Sequence, residues 1–347
     1  MKAVWYDNPG GPEVLVYGDR PDPSAGTHDV VVKVHTAAVN HLDVVQRNGW
    51  FTMPGFTYPH IAGMDVAGEI VAIGSQVESS LGLSIGDRVV VDPSLAGVNA
   101  GSIYAGMGDI YGELGIIGAT VAGGYAELCV APATHVYKIP DAMSYDDAAT
   151  FPTCYLTAWH ALFEVGGLKS GETIMIHAAG SGVSVAAIQL AVAAGATVLA
   201  TAGSEEKCNK ALTLGASAVC NNRTENVTGF ARGATAGAGV DMVFDHVGPA
   251  LWADSMFSLK PRGRLVNCGN TTGDTATIPS LGFMFHMGIQ LLGSDPYRPE
   301  EFGKAWNTFC NGSFQKVIDS TFALKDAAEA QSKMQNNDVF GKILLKP

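Results

Sequence analysis

The chain has 347 residues, which is long enough for two domains with separate hydrophobic cores. Its net charge of −12 argues against nucleic acid or an anionic membrane surface as a partner. Because it contains neither a signal peptide nor a run of about 18 apolar residues, we expect a cytoplasmic protein with no membrane partner. The six cysteines are scattered without a C-x-x-C pair, which is typical of reduced thiols.

The N-terminal region, residues 1–150, is rich in Val, Gly and Pro. Short alternating stretches such as residues 30–34 and 88–91 predict an all-β, partly open barrel. Residues 94–124 form a Gly-rich segment without a periodic pattern. A segment of that length predicts either a functional loop or a lobe that packs on its own side chains.

A complete nucleotide-binding unit occupies residues 172–207. Residues 173–177 predict a buried parallel strand, residues 185–194 an Ala-rich helix, and residues 197–201 the next strand. Glycines between the first strand and the helix would let a pyrophosphate approach the backbone N–H groups at the positive helix end. Ser184 stands where a third glycine is usual, and it is small enough for close helix packing. The residues predicted to contact the cofactor in this turn are Ala179, Gly180, Ser181, Gly182 and Val183.

Helices and strands continue to alternate after this unit. Strands predicted at residues 217–220, 240–245 and 263–268 complete a doubly wound parallel sheet. Helices are then expected at residues 300–310 and 324–335, with a last strand at residues 342–345. We therefore predict one domain from residues 1–153 and 295–347, and a nucleotide-binding domain from residues 154–294.

Several motifs together resemble the medium-chain dehydrogenase/reductase superfamily, which contains zinc alcohol dehydrogenases and zinc-free quinone or enoyl reductases. They are AAVNHLDVVQRNG (37–49), GMDVAGEIVAIG (63–74), GDRVVV (86–91), GGYAE (123–127), LTAWHAL (156–162), AAGSGV (178–183), VFDHVG (243–248), GRLVNCGNTTG (263–273) and FGKILL (340–345). The resemblance implies an α/β protein with a GroES-like catalytic barrel, a Rossmann domain, a small-molecule substrate, and a homodimer or homotetramer. It also implies further cofactor contacts from His246, Val247, Gly269, Asn270 and Lys342.

The departures from this family concern its metals. Zinc-dependent members carry Cys, His and Cys where this chain has Asn40, Met64 and Thr153. None of these three is an ordinary zinc ligand, and Asp65 alone would not hold a catalytic metal. The segment 94–124 has no cysteine for the family's structural zinc, so we predict that neither metal is bound. A displaced site that uses Cys154 with His41 or His60 is the alternative.

Without zinc, the chemistry favours reduction of C=C over C=O, because a conjugated carbonyl of the substrate can itself accept the developing charge. Asn40 is the leading hydrogen-bond donor to that oxygen. Asp43 and Arg47, at i and i+4, are either part of the catalytic site or a structural pair that orients this segment. His41 either protonates the substrate or contacts a cofactor phosphate. Tyr58 and Tyr104 are other possible acids.

The preferred nicotinamide is predicted from the end of the second Rossmann strand. An acidic residue there would bind the ribose of NAD, but residues 200–204 contain none. Ser204, Lys207 and Arg223 could hold the 2′-phosphate of NADPH. Glu205 and Glu206 are a contrary signal, although acids in a first helical turn also complement the dipole.

The predicted function is therefore an NADPH-dependent, zinc-independent reductase of quinones, enones or enoyl-CoA thioesters such as acryloyl-CoA. A CoA ester would need basic residues for its phosphates, for which Arg47, Arg262, Arg264 and Arg298 are candidates. A zinc-dependent alcohol dehydrogenase and a catalytically idle NADPH-binding protein are the alternatives.

Overall fold

The computed structural model of the protein describes residues 1–52, 55–95, 97–98, 100–106, 115–295 and 297–347. They divide into two compact units, which are residues 1–153 with 298–347, and residues 154–297. Of the segment 94–124, residues 96, 99 and 107–114 lie outside the described part. Among the described residues, no helix has the length and apolar character needed to span a membrane.

The strands of both units are numbered along the chain. They are β1 (Lys2–Trp5), β2 (Val16–Asp19), β3 (Asp29–Ala38), β4 (Asp65–Ile73), β5 (Arg88–Val91), β6 (Leu128–Pro132), β7 (Val136–Lys138), β8 (Thr173–Ile176), β9 (Thr197–Ala202), β10 (Ala218–Asn221), β11 (Val240–Asp245), β12 (Leu259–Asn267), β13 (Gln290–Gly293), β14 (Ile318–Ala323) and β15 (Lys342–Lys346). The predicted strands at residues 88–91, 240–245 and 342–345 match these bounds closely, and the expectation for residues 263–268 began too late.

The helices follow the same numbering. They are α1 (His41–Arg47), α2 (Tyr145–Ala149), α3 (Pro152–Trp159), α4 (Gly182–Ala193), α5 (Glu205–Thr213), α6 (Val227–Ala234), α7 (Trp252–Ser258), α8 (Leu281–Met287), α9 (Pro299–Asn311) and α10 (Ala327–Gln335). The predicted helix at residues 185–194 begins three residues earlier, at Gly182, because the glycine turn itself supplies its first residue.

The first unit is a mainly antiparallel sheet in the order β14-β15-β3-β4-β5-β7, with β6 also paired to β3. Strand β3 is its centre and is buried along most of its length, and six of its ten residues are Val or Ala. The register places Ala38 of β3 opposite Asp65 of β4 and Leu344 of β15. The residues that follow β3 therefore emerge between β4 and β15.

The second unit is a parallel sheet in the order β10-β9-β8-β11-β12-β13. This order reverses direction between β8 and β11, which is the position where doubly wound sheets bind ligands at the carboxyl ends of their strands. Helix α4 follows β8 and is buried over most of its length, because its Ala, Val and Ser side chains allow close packing on the sheet. The GroES-like barrel and Rossmann sheet predicted by the resemblance are confirmed.

Candidate active site

A buried polar cluster lies at the end of β3, where Asn40 caps the N-terminus of α1. The Asn40 amide nitrogen donates to Asp65 Oδ2 over 2.9 Å, and the ammonium of Lys342 donates to the same carboxylate oxygen over 2.7 Å. Lys342 Nζ also donates to Asn40 Oδ1 at 2.7 Å. The second oxygen of Asp65 accepts from the backbone N–H and the hydroxyl of Thr153, at 2.8 and 2.6 Å. All four side chains are held within one connected network.

Asp43 supports this cluster from the first turn of α1. Its Oδ2 accepts the backbone N–H of Asn40 at 2.8 Å and the hydroxyl of Tyr125 at 2.9 Å. Burial raises the pKa of Asp43 to about 6, although these two hydrogen bonds and the nearby Lys342 act in the opposite direction. Asp43 therefore fixes the backbone from which the Asn40 side chain projects.

The expected pairing of Asp43 with Arg47 is wrong. The Arg47 guanidinium is fully buried and donates instead to Gln331 Oε1 and Gln335 Oε1, both at 2.7 Å, and to the Gly10 carbonyl at 3.1 Å. Arg47 therefore ties α1 to α10, a structural role that i,i+4 spacing does not predict because the partners lie nearly 300 residues away.

Three candidate acids have different environments. Burial lowers the pKa of His41, which reduces the fraction of protonated imidazole that could donate a proton to the substrate. Tyr104 is wrongly placed among the candidates, because its hydroxyl donates to the Val130 carbonyl at 3.1 Å inside the barrel core. Tyr58 is 39% exposed and packs edge-on against Phe56.

The residues around Asp65 do not fit a catalytic zinc. The only carboxylate of the cluster already has four donors, and one of them is the ammonium of Lys342. A dication placed beside that ammonium would be repelled. The displaced alternative is also without support, because within the described ranges no group of three or more His, Cys, Asp or Glu side chains could hold a metal. His60 instead contacts the Gly118 carbonyl through Nε2 at 3.0 Å.

Lys342, which is predicted to contact the cofactor, has hydrogen-bond acceptors within the first unit. Its side chain is 4% exposed, and its ammonium donates to Asp65, Asn40 and the Val39 carbonyl. Sequence reasoning noted Asp65 only as a possible metal ligand and did not single out Tyr125. No local pattern could have connected them, since the cluster depends on the register of β3 between β4 and β15.

The turn after β8 has the features of a phosphate-binding loop. Ala178 adopts a left-handed backbone conformation with φ of 50°, which is unusual for a residue other than glycine. Ser181 precedes α4, yet its side chain makes no capping hydrogen bond. Helix α5, in contrast, is capped by the Ser204 hydroxyl. Ser181 therefore leaves the first N–H groups of α4 uncapped, and these groups could donate to a pyrophosphate.

Ser184, which stands where glycine is usual, makes two hydrogen bonds that a glycine could not make. Its hydroxyl donates to the His177 carbonyl at 2.7 Å, and Nε2 of His246 lies 2.8 Å from the same oxygen. Because the single hydroxyl proton is already used, Nε2 of His246 must be the donor. The Ser184 hydroxyl thus links α4 to His246 at the carboxyl end of β11. The predicted cofactor residue Gly269 packs against His246, since a Cβ there would lie 3.2 Å from the His246 Cβ.

At the end of β9, Arg223 lies against the backbone that leads into α5. A Cβ on Gly203 would lie 3.1 Å from Arg223 Nε. The two acids of the first turn of α5 have partners of their own, because Glu205 accepts from the Asn221 amide at 2.9 Å and Glu206 forms an ion pair with Lys210 at 2.7 Å. These two acids, which argued against NADPH in the sequence, therefore have structural partners.

Comparison with known proteins identifies a dehydrogenase family for both units. Residues 26–141 match the family model described as "Alcohol dehydrogenase GroES-like domain", and residues 182–311 match the one described as "Zinc-binding dehydrogenase". A protein of Pseudomonas aeruginosa named "Quinone oxidoreductase" is 30% identical, with 100% of this chain and 99% of the relative covered. The chain belongs to the medium-chain dehydrogenase/reductase superfamily and is an oxidoreductase that uses a nicotinamide cofactor.

Other similar proteins differ in what their names state. A relative from Sulfurisphaera tokodaii named "Acryloyl-coenzyme A reductase" is 27% identical over the whole of both chains. A solved structure described as an NAD-dependent alcohol dehydrogenase is 34% identical, with a TM-score of 0.91 and full coverage of both chains. The Escherichia coli quinone oxidoreductase in complex with NADPH is 26% identical, with a TM-score of 0.82 and full coverage of both. Neither substrate nor nicotinamide preference follows from these names alone.

Proposed function

We propose that the protein is an NADPH-dependent reductase of activated C=C bonds that works without zinc and uses quinones as acceptors. The observation that carries this proposal is the polar cluster around Asp65, because Asn40 and Thr153 are hydrogen-bond donors at positions where zinc-dependent relatives have metal ligands. NADPH supplies the hydride when bound. The protein then needs only to orient the acceptor and stabilise the negative charge that develops on its carbonyl oxygen.

Asn40 is proposed as the group that stabilises this charge. One N–H of its amide donates to Asp65, and among the residues that the structure describes the second N–H has no acceptor. An amide held in this way is preorganised, so it costs little reorganisation when the substrate oxygen becomes an anion. For a quinone, hydride addition and one proton from water then give the hydroquinone.

A flat aromatic acceptor is supported by the surface that follows α1. Trp50, Phe51 and Tyr58 are 68%, 48% and 39% exposed, and Tyr58 packs edge-on against Tyr6 with ring centroids 5.8 Å apart. Burial raises the pKa of Tyr6, and the negative charge of Asp43 raises it further. Exposed aromatic side chains in the segments after α1 suit a planar ring that stacks while its oxygen is hydrogen-bonded.

A CoA thioester is less well supported, because two of the basic side chains expected to bind its phosphates already have partners within their own units. Arg47 is fully buried against glutamines of α10. Arg264 forms an ion pair with Glu172 at 2.6 Å.

The proposal predicts activity without metal. Purified protein should contain no stoichiometric zinc, and after treatment with a strong chelator it should still oxidise NADPH with 1,4-benzoquinone at the rate of untreated protein, with lower kcat/KM for cyclohexenone and crotonyl-CoA. One zinc per chain with loss of activity on chelation would instead support an alcohol dehydrogenase. Tight NADPH binding without turnover on any acceptor would support an idle binding protein.

The preference for NADPH is proposed from the end of β9, where Arg223 lies against Gly203, Ser204 caps α5 with Lys207 in its first turn, and both acids of that turn have partners. Changing Lys207 to Ala should weaken NADPH binding about tenfold, the loss expected for one charge-assisted contact, and leave NADH binding unchanged. Lys210→Ala is the matched control, because Lys210 lies on the same helix and pairs with Glu206. Equal affinities of the unmodified protein for NADPH and NADH would contradict the proposal.

We further propose a cytoplasmic homodimer or homotetramer. All six cysteines are free thiols, which suits a reducing compartment. Helix α8 exposes Leu281 and Phe285, at 65% and 66%, and it precedes the edge strand β13 in the chain. Light scattering of the purified protein tests the oligomeric state, and a monomer at micromolar concentration would refute it.

A further inference from the structure

Lys342 makes more contacts than it needs to neutralise the charge of Asp65. Its ammonium donates to Asp65 Oδ2 at 2.7 Å, to Asn40 Oδ1 at 2.7 Å and to the Val39 carbonyl at 3.0 Å. Asp65 is also bound by three N–H or O–H groups from Thr153 and Asn40. Neutralising the carboxylate requires one contact, whereas Lys342 contacts the Asn40 amide as well.

These partners determine which way the Asn40 amide faces. An ammonium can only donate and an ionised carboxylate can only accept, so the atom of Asn40 beside Lys342 must be oxygen and the one beside Asp65 must be nitrogen. Rotation of the amide by 180° would place NH₂ against NH₃⁺ and oxygen against carboxylate. Both contacts would then be repulsive, and the flipped orientation is excluded.

A cation on the amide oxygen also changes the amide itself. Hydrogen bonds to a carbonyl oxygen draw electron density from the attached nitrogen, and the effect is larger when the donor is charged. The Asn40 N–H groups therefore become stronger donors. In a buried site of low dielectric, this polarisation is not screened by water.

We propose that Lys342 is a positioning residue that fixes and polarises the Asn40 amide, so that one N–H faces the acceptor oxygen; this role rests on the proposed function. Lys342 thus places a positive charge one group away from the reacting oxygen, where zinc-dependent relatives place a metal. It touches neither substrate nor cofactor in this role.

Two variants separate this role from simple charge balance. Lys342→Met leaves the Asp65 carboxylate buried without its counter-ion, and the melting temperature should fall by about 10 °C. The double variant Lys342→Met/Asp65→Asn removes both charges and should recover most of that loss. A new amide at position 65 would present its NH₂ to Asn40 while its oxygen accepts from Thr153, which favours the reversed orientation of Asn40.

The double variant should therefore fold stably and bind NADPH as the wild type does, yet have its kcat with benzoquinone lowered about 100-fold, as for loss of one oxyanion donor. KM should change far less than kcat. Lys346→Met is the matched control: Lys346 lies on the same strand, and its ammonium contacts Asp146 and Thr36. Its removal should leave kcat unchanged.

A stable double variant with wild-type kcat would reduce Lys342 to a counter-ion and overturn the proposal. If the double variant instead loses NADPH affinity while kcat is unchanged, the proposal is also overturned, and Lys342 is then a cofactor contact. If the wild type reduces no acceptor, the proposed function fails, and the orientation is tested separately by NMR of ¹⁵N-asparagine-labelled protein. The Asn40 side-chain protons should exchange with solvent more slowly in the wild type than in the double variant, and equal exchange would overturn the positioning role.

Discussion

Changing Gly182 to Val should abolish binding of both NADPH and NADH. Gly182 is the first residue of α4, directly after Ser181, whose side chain makes no capping hydrogen bond. A β-branched side chain at this position would project toward the space in which a pyrophosphate approaches the helix N–H groups. Both cofactors share the pyrophosphate, so both should be lost, whereas Lys207→Ala should affect only NADPH.

Isothermal titration calorimetry of each cofactor measures this effect, and circular dichroism verifies that the variant is folded. Gly233→Val is the matched control, because Gly233 also lies in a helix of the second unit and a Cβ there would meet no atom within 4 Å. The control should bind NADPH like the wild type. Cofactor binding by a folded Gly182→Val protein would show that the phosphate site lies elsewhere.

Changing Asn40 to Ala should lower kcat with benzoquinone by about 10²–10³, the typical loss for one oxyanion donor. NADPH affinity should stay nearly the same, since most of the predicted cofactor residues lie in the second unit. The variant also leaves the Lys342 ammonium and the Asp65 carboxylate with one partner fewer each, so some loss of thermal stability should accompany it.

Steady-state kinetics over a range of quinone concentrations separates kcat from KM in this variant. Asn8→Ala, a change at an exposed position of the same unit, is the control and should have wild-type kinetics. Full turnover by Asn40→Ala would remove the amide from the mechanism without affecting the argument against zinc.

Part of the site was predictable because it depends on local pattern. The strand, glycine turn and helix over residues 172–194 follow from apolar periodicity and small residues, and the structure has β8, the turn and α4 in that order. The missing metal ligands at Asn40, Met64 and Thr153 were also evident, since they depend on residue type at positions aligned by resemblance. Both features are properties of short segments.

The contacts between distant segments were decided only by the tertiary structure. Lys342 is separated from Asp65 by 277 residues, and it meets Asp65 because β3 pairs with β4 on one side and β15 on the other. The partners of Arg47 on α10 depend instead on the packing of α1 against α10, and the Tyr104 hydroxyl donates to the carbonyl of Val130 on β6. A sequence specifies which side chains are available, but sheet register and helix packing determine which of their atoms meet.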